Sequence, residues 1–458
     1  MHHHTLTRFR LTGAALIVLL SALLLVSTAA GLAPQATPTG TSVLASSYTP
    51  PATPPVVPIP PRVDLLEDAD HIVNILVIGS DTTGETPGRT DTLILVSINR
   101  EAGSVAMWHV PRDLFVYIPD YTMERINVAF EVGYYRGYPG GGYGLLKETF
   151  LYNFGIEVDF YAHVNFYSFQ RLVEELGGLV ISVDCAIQDW RLQDGADPTL
   201  GDSYELFTLP VGRHRLTPDL ALWYVRSRFS SNDLDRGRRQ MDVLRAMWLQ
   251  ARELGLLSQV TELWPALTEA VTTDMTMVDA LELVPLALSL DPGDVARYGG
   301  REGVHFRRTF TPGDGRDVLL PNRDALLPLL RDFLTPPTSN RVQRQGATVE
   351  VVDAAWYGLG FDVVAADRLA WEGFRVTPTG PGGEVRRELT VIYDYTGWSK
   401  GNPVTDLQAI LRVDDAHVIR QPDPNRAVDF RVEIGTAYNT CIYTALPNAP
   451  PPDPPELP

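Results

Sequence analysis

The sequence predicts an α/β protein: a first domain layered α-β-α around a central mixed sheet, a small C-terminal α/β domain, and an N-terminal transmembrane helix. Three observations carry this. Short apolar runs alternate with helical patterns between residues 72 and 183, as in domains with helices on both faces of a sheet. A Thr/Pro/Ser/Asn break at Thr335–Asn340 is followed by a new strand-helix-strand pattern. An uncharged, Leu/Ala/Val-rich run fills Leu11–Ala33.

That run is long enough to cross a bilayer as a helix. Arg8 and Arg10 before it place residues 1–10 in the cytoplasm and the rest outside, in a single-pass cell-membrane topology. Small residues at Ser27–Ala30 keep a cleaved signal peptide open as the alternative to an anchor over 11–33. Residues 34–71 form a Pro/Thr-rich spacer, extended and without a fold of its own from Pro34 to Pro61.

Folded sequence begins near Ile72. Asn74–Gly79 reads as a buried strand, Thr92–Ile98 as a second, and Val105–Val110 as a third, broken by Pro111. In a meander, these strands bring Asp81, Arg89, Asp91, Arg112 and Asp113 to one sheet edge. Two carboxylates beside other charged groups suit a divalent cation and an anionic ligand; the plainer reading is that Asp81 and Asp91 cap turns. Gly133–Gly144 has neither a dinucleotide nor a P-loop fingerprint and reads as a flexible loop. Leu145–Asn153 and Phe169–Leu176 read as helices, the second closed by Gly177-Gly178. Phe160–Phe166 and Leu179–Val183 read as strands, and Gln188–Glu205 as an exposed polar insertion.

From Arg226 to Gln240 the chain carries five arginines against two aspartates, although its formal net charge is -18. Val243, Leu244, Met247 and Trp248 then recur at helical spacing. Counting back from Val243 gives Gln240, Arg239 and Arg236, so the apolar stripe runs into guanidinium groups. A buried cation needs a partner. Phosphate matches the guanidinium fork and the amides of a helix N-terminus; an ion-paired surface helix is the alternative. Arg238 falls off this face and reads as solvated.

Leu326–Phe333 closes a domain over 72–335. Residues 336–346 are a linker, 347–444 a β-α-β-β-α module, and 445–458 a disordered Pro-rich tail. The pI of about 4.9 argues against a nucleic-acid partner. Two cysteines, Cys185 and Cys441, exclude a disulfide-rich scaffold and leave a single bridge or two free thiols open.

The ordered set Asn74-Ile75-Leu76 to Gly79-Ser80-Asp81, Arg89–Thr92, Pro111-Arg112-Asp113, Ile126-Asn127, Gly177-Gly178, Arg226-Ser227-Arg228, and Asp233, Arg236, Arg239 and Gln240 resembles the extracytoplasmic LytR-CpsA-Psr proteins of bacteria. Residues 347–444 are similar to the C-terminal domain that often follows in that family. The resemblance implies a phosphotransferase that moves a glycopolymer from a polyprenyl-pyrophosphate carrier onto peptidoglycan or another wall acceptor. It implies Mg²⁺ (or Mn²⁺) on Asp81 and Asp91, one of which also serves as base. It implies catalytic roles for Arg112, Arg226 and Arg236 and phosphate contacts from Arg89, Arg112, Arg226, Arg228, Arg236 and Arg239. Gln240 would bond the head group, Asp113 and Asp233 would orient arginines, and Arg125 is a secondary phosphate candidate. His109 stands where the family usually has serine. A cell-envelope transcriptional attenuator, or a non-catalytic binder of polyprenyl phosphate or glycan, are the competing readings.

Overall fold

The computed structural model describes residues 58–66, 71–81, 90–193, 195–197, 203–228, 232–311, 314–335, 341, 344–355, 360–381, 386–397, 403–439 and 441. The expected membrane segment 11–33, Arg89 and the tail 445–458 lie outside them. Among the described residues no helix is long and apolar enough to cross a membrane.

In chain order the elements are β1 (Ile72–Ser80), β2 (Thr90–Asn99), β3 (Ser104–His109), β4 (Phe115–Ile118), β5 (Thr122–Arg125), α1 (Ala129–Tyr135), α2 (Gly141–Phe154), β6 (Phe160–Asn165), α3 (Phe166–Glu175) and β7 (Leu179–Val183). Next come β8 (Ile187–Leu192), β9 (Tyr204–Leu209), β10 (Gly212–Leu216), α4 (Pro218–Arg226), α5 (Asp233–Glu253), α6 (Val260–Ala270), β11 (Thr272–Thr273), α7 (Met277–Ser289) and β12 (Val295–Tyr298). The last are β13 (Phe306–Phe310), β14 (Asp317–Pro321), α8 (Arg323–Leu334), β15 (Thr348–Asp353), α9 (Phe361–Trp371), β16 (Arg375–Pro381), β17 (Val391–Asp394), α10 (Pro403–Leu411), β18 (Val418–Arg420) and β19 (Phe430–Ile434).

The chain forms two compact units: Met1–Ser168 with Leu256–Ser289 and Tyr298–Pro336, and Phe169–Gly255 with Leu290–Arg297 and Pro337–Pro458. These units do not follow the boundary expected between 72–335 and 347–444, because residues 169–255 group with the C-terminal module.

The first unit is built on a mixed sheet whose strands run β11-β6-β1-β2-β3. β1 pairs antiparallel with β2 and parallel with β6, and β2 pairs antiparallel with β3. The expected meander therefore forms. β1 is a continuous apolar run because both its faces are covered; Ile75, Leu76 and Ile78 are buried. Asn74, its third residue, is polar for a reason. Its amide N–H donates to Asp159 Oδ2 at 2.7 Å and its side chain donates to the Glu157 carbonyl at 3.0 Å, tying the entry of β6 to β1. Trp108 of β3 packs edge-on against Phe154 with ring centroids 5.1 Å apart, which seats α2 on the sheet.

Two expectations fail in this unit. Gly133–Gly144 is not a flexible loop but the close junction of α1 and α2. A Cβ on Gly142 would stand 2.5 Å from the Phe130 carbonyl oxygen, and one on Gly144 2.0 Å from that of Pro139. Glycine is required there by backbone approach. The spacer also has a docked end. Tyr152 O–H donates to the Pro60 carbonyl, and the Val63 N–H donates to the Tyr152 carbonyl at 2.9 Å, so residues 58–66 are seated on the first unit.

In the second unit β15, β16, β17, β18 and β19 form a sheet in the order β16-β15-β19-β17-β18. The sequence reading finds the first three strands, α9 and α10, and misses β18 and β19. β15, β16 and β19 run parallel around a core that includes Val351, Leu369 and Phe430. α9 also packs on β7 and β10, which is why residues 169–255 join this unit. The segment expected to be an exposed polar insertion is exposed and carries β8 and β9, a hairpin in which the exposed Trp190 and Leu206 pair across the strands. Cys185 and Cys441 form a disulfide across 256 residues of sequence. Replacing both with serine is expected to lower the unit's unfolding free energy by about 2–4 kcal/mol. Chemical denaturation followed by tryptophan fluorescence measures this, and an unchanged midpoint would contradict it.

Candidate functional site

In the first unit the register of β1 against β2 ends with Ser80 opposite Thr90, after a bulge between Gly79 and Ser80. A Cβ on Gly79 would meet the Thr92 Cβ at 2.9 Å, so glycine allows the strands to close up where the bulge re-aims the chain. Asp81 follows the end of β1 and is exposed, and Asp91 stands just inside the start of β2. β3 ends at His109, and the Pro111 turn follows: the Leu114 N–H donates to the Pro111 carbonyl at 3.0 Å.

That turn aims Arg112 at the edge. Its Nη1 donates to Asp91 Oδ1 at 2.5 Å. Asp113 lies between two arginines, with Oδ2 3.6 Å from Arg112 Nε and Oδ1 3.3 Å from Arg125 Nη1. Arg125 Nη2 also donates to the Asp317 carbonyl at 3.1 Å. Asn127 closes the back of the cluster: its N–H donates to the Arg112 carbonyl, and its own carbonyl accepts from Thr90 Oγ1, both at 3.4 Å. Asp91, Arg112, Asp113 and Arg125 are thus one linked chain of alternating charge. His109, the departure noted in the sequence, is buried in β3 opposite Ile94.

The sequence reading missed the group behind Asp81. Ser80 Oγ lies 2.8 Å from His163 Nε2, and His163 Nδ1 lies 2.9 Å from the Tyr143 hydroxyl. Tyr143 stacks on Tyr161 at 3.7 Å between centroids. The signal was there: Ser80 sits inside the quoted Gly79-Ser80-Asp81 motif, and His163 is a polar residue in an otherwise mostly apolar strand. Burial pushes the His163 imidazole down to about 4 from its ordinary 6.5 and pushes the Tyr143 phenol up. His163 is therefore neutral when folded, and between those two values only the unfolded chain takes up its proton. Stability is lost as pH falls from about 6.5 towards 4. His163→Gln should flatten that window, as denaturant titrations at pH 7 and 4.5 would show; an equal drop in both proteins would contradict it.

In the second unit, Thr217 caps α4 by accepting from the Leu220 N–H at 3.3 Å, with Pro218 in the first turn. α4 ends at Arg226, which is exposed, as is Arg228. Asn232 caps α5 by accepting from the Asp235 N–H at 2.9 Å. Asp233 lies 2.7 Å from Arg236 Nη2 and 3.6 Å from Arg228 Nη1, so it bridges these two arginines. The Arg228 N–H donates to Asp189 of the hairpin at 2.7 Å.

Two arginines differ from expectation. Arg239, expected to clamp phosphate, is completely buried and turns every guanidinium nitrogen inward, to the Tyr224 carbonyl, to Asp235 and to the Ser227 carbonyl. It is a strut that fixes the end of α4 against α5. Arg238, expected to be solvated, is held by Asp184 at 2.8 Å, Asp235 at 3.2 Å and Asp242 at 3.7 Å. Those carboxylates raise its pKa well above the ordinary value despite burial. Gln240 is buried and donates to the Val225 carbonyl at 3.2 Å, while its Oε1 has no hydrogen-bond partner among the described residues.

Among the described residues no group of three or more His, Cys, Asp or Glu side chains could hold a metal. The pair Asp81 and Asp91 still suits a hard cation of the Mg²⁺ type, which commonly takes one or two carboxylates and completes its shell with water and substrate phosphate. Asp81 is exposed, and Asp91 is held in place by Arg112 through Oδ1.

Comparison with known proteins matches the LytR_cpsA_psr family over residues 54–296. The match stops short of residues 347–444. The polyisoprenyl-teichoic acid–peptidoglycan teichoic acid transferase TagT of Bacillus subtilis is 30% identical over 254 residues, covering 54% of this chain and 74% of that protein. The transferase of the same description, TagU, of Oceanobacillus iheyensis is 30% identical over 218 residues, covering 47% of this chain and 63% of that protein. A crystal structure of B. subtilis TagV is similar over 59% of this chain and 100% of that one, with a TM-score of 0.47 and 20% identity. The chain belongs to the LytR_cpsA_psr family.

Proposed function

We propose that this chain is a membrane-anchored, extracytoplasmic phosphotransferase that moves a glycopolymer from a polyprenyl-pyrophosphate carrier onto peptidoglycan or another wall acceptor. The observation that carries the reading is the chain Asp91–Arg112–Asp113–Arg125 at the sheet edge beside exposed Asp81. Family membership and the names of TagT and TagU support it.

The acceptor hydroxyl oxygen forms a bond to the phosphorus that carries the glycan. The bridging P–O bond breaks, polyprenyl phosphate leaves with the bonding electron pair, and the hydroxyl proton passes to a carboxylate, Asp81 or Asp91. Arg112, placed by Asp91 and Asp113, stabilises charge that develops on the phosphoryl oxygens. In the second unit, Arg226, Arg228 and Arg236 are the further phosphate-binding candidates that the family resemblance implies, with Asp233 holding the last two in place. When bound on Asp81 and Asp91, Mg²⁺ (or Mn²⁺) neutralises pyrophosphate charge. The segment 11–33 anchors the chain with residues 1–10 in the cytoplasm.

The test is full-length protein in detergent with a polyprenyl-pyrophosphate-linked glycan, an acceptor glycan and Mg²⁺. Release of polyprenyl phosphate with phosphodiester-linked product is expected. Tight lipid binding with no product would replace this reading with that of a binding protein.

A further inference from the structure

The second unit contains a cleft of about 520 Å³ that the transfer chemistry does not use. One wall is the face of β10 that carries Arg213 and Arg215, two residues apart and therefore on the same side of the strand. A second wall is the later half of α5, with Arg245, Leu249 and Glu253, and a third is α9 with Asp367. Leu254, which is exposed, and Val376 add apolar surface.

The polar groups fall into two sets. Arg245 is fixed: its side chain is 2% exposed, its guanidinium lies 4.2 Å over the Trp371 ring, and its Nη2 donates to Asp367 at 3.0 Å. It is a rigid part of the wall. The side chains of Arg213 and Glu253 are exposed and make no ion pair or hydrogen bond with the described residues. A free cation and a free carboxylate thus line one cleft with apolar surface between them. Three arginines are balanced by Glu253, Asp291 and Asp367, while Asp242 is taken up by Arg297 and Arg238 outside the cleft. That balance disfavours a polyanionic glycan and favours a ligand carrying both charges.

We propose that this cleft binds a short peptide bearing a free amine and a free carboxylate, the chemistry of the peptide stems attached to a peptidoglycan acceptor. The carboxylate meets Arg213 and Arg215, the amine meets Glu253, and aliphatic side chains rest against Leu249 and Val376. The assignment of this peptide to the acceptor rests on the transferase reading; the binding itself does not. α5 connects the cleft to the arginine cluster. Gln240 and Glu253 lie on one helix, about 20 Å apart at its rise per residue. An acceptor gripped by its peptide is thereby held by the same rigid element that carries Arg236 and Gln240.

The experiment is calorimetric titration of the full chain in detergent with a disaccharide-peptide fragment of peptidoglycan and with the same disaccharide lacking its peptide. The peptide-bearing fragment is expected to bind at least tenfold more tightly. Arg213→Glu and Glu253→Lys should each weaken it at least tenfold while leaving donor cleavage without acceptor unchanged. Equal binding of the two fragments, or wild-type affinity in both variants, would overturn the proposal. Peptide binding that persists in a protein unable to cleave the donor would uphold the cleft and remove the transferase reading instead.

Discussion

Arg112→Ala is expected to reduce phosphotransfer by about 10²–10³-fold with the fold intact, the range for removing one preorganised donor from a developing anion. The guanidinium lies on a turn held from both sides by backbone bonds, and the side chain is only partly buried, so truncation leaves no large cavity. Asp91→Ala should cost at least as much, because it removes both the partner that aims Arg112 and half of the carboxylate pair. The two losses should not add. Asp91 acts partly through Arg112, so the double variant should be little worse than Asp91→Ala alone. Single-turnover release of polyprenyl phosphate measures all three. Strict additivity would mean that the 2.5 Å pairing of Asp91 with Arg112 has no part in catalysis. Full activity in either single variant would place the chemistry elsewhere.

The legibility of this site in the sequence follows from what strands and helices reveal. A strand run has a fixed direction and two ends, so Gly79, Thr92 and Pro111 were enough to bring Asp81, Asp91 and Arg112 to one edge, and the register of β1, β2 and β3 has that form. Helical periodicity likewise put Arg236, Arg239 and Gln240 on the inward face of α5, where all three are buried. What periodicity cannot supply is the identity of the partner. Arg239 meets Asp235 one turn earlier on its own helix, and Arg238 meets Asp184 from a distant strand end. The Ser80–His163–Tyr143 chain depends on the parallel pairing of β1 with β6, which no local pattern announces. The glycines of 133–144 misled for a related reason: composition shows that backbone is permissive there, and only packing shows that two helices use the missing Cβ atoms to touch.

Arg239 decides how the arginine stretch works. If it is the strut that its contacts describe, Arg239→Met should destabilise the protein by about 3–5 kcal/mol, since it strips a buried carboxylate of its main partner. Asp235 is 1% exposed and would be left with Arg238 at 3.2 Å, already shared with Asp184 and Asp242. The Tyr224 and Ser227 carbonyls would also lose their donors. Replacing the pair together, Asp235→Leu with Arg239→Met, should recover most of the loss, because two apolar side chains of similar volume need no charge compensation. A direct phosphate ligand behaves differently. Its removal weakens binding of inorganic pyrophosphate or the lipid carrier, leaves the melting curve nearly in place, and is not rescued by changing Asp235. Denaturation curves and pyrophosphate titrations of the single and double variants separate the two. A stable Arg239→Met protein that no longer binds pyrophosphate would return Arg239 to the clamp. A destabilised one rescued by Asp235→Leu leaves exposed Arg226 and Arg228, with Arg236 on Asp233, as the phosphate-facing residues of this stretch.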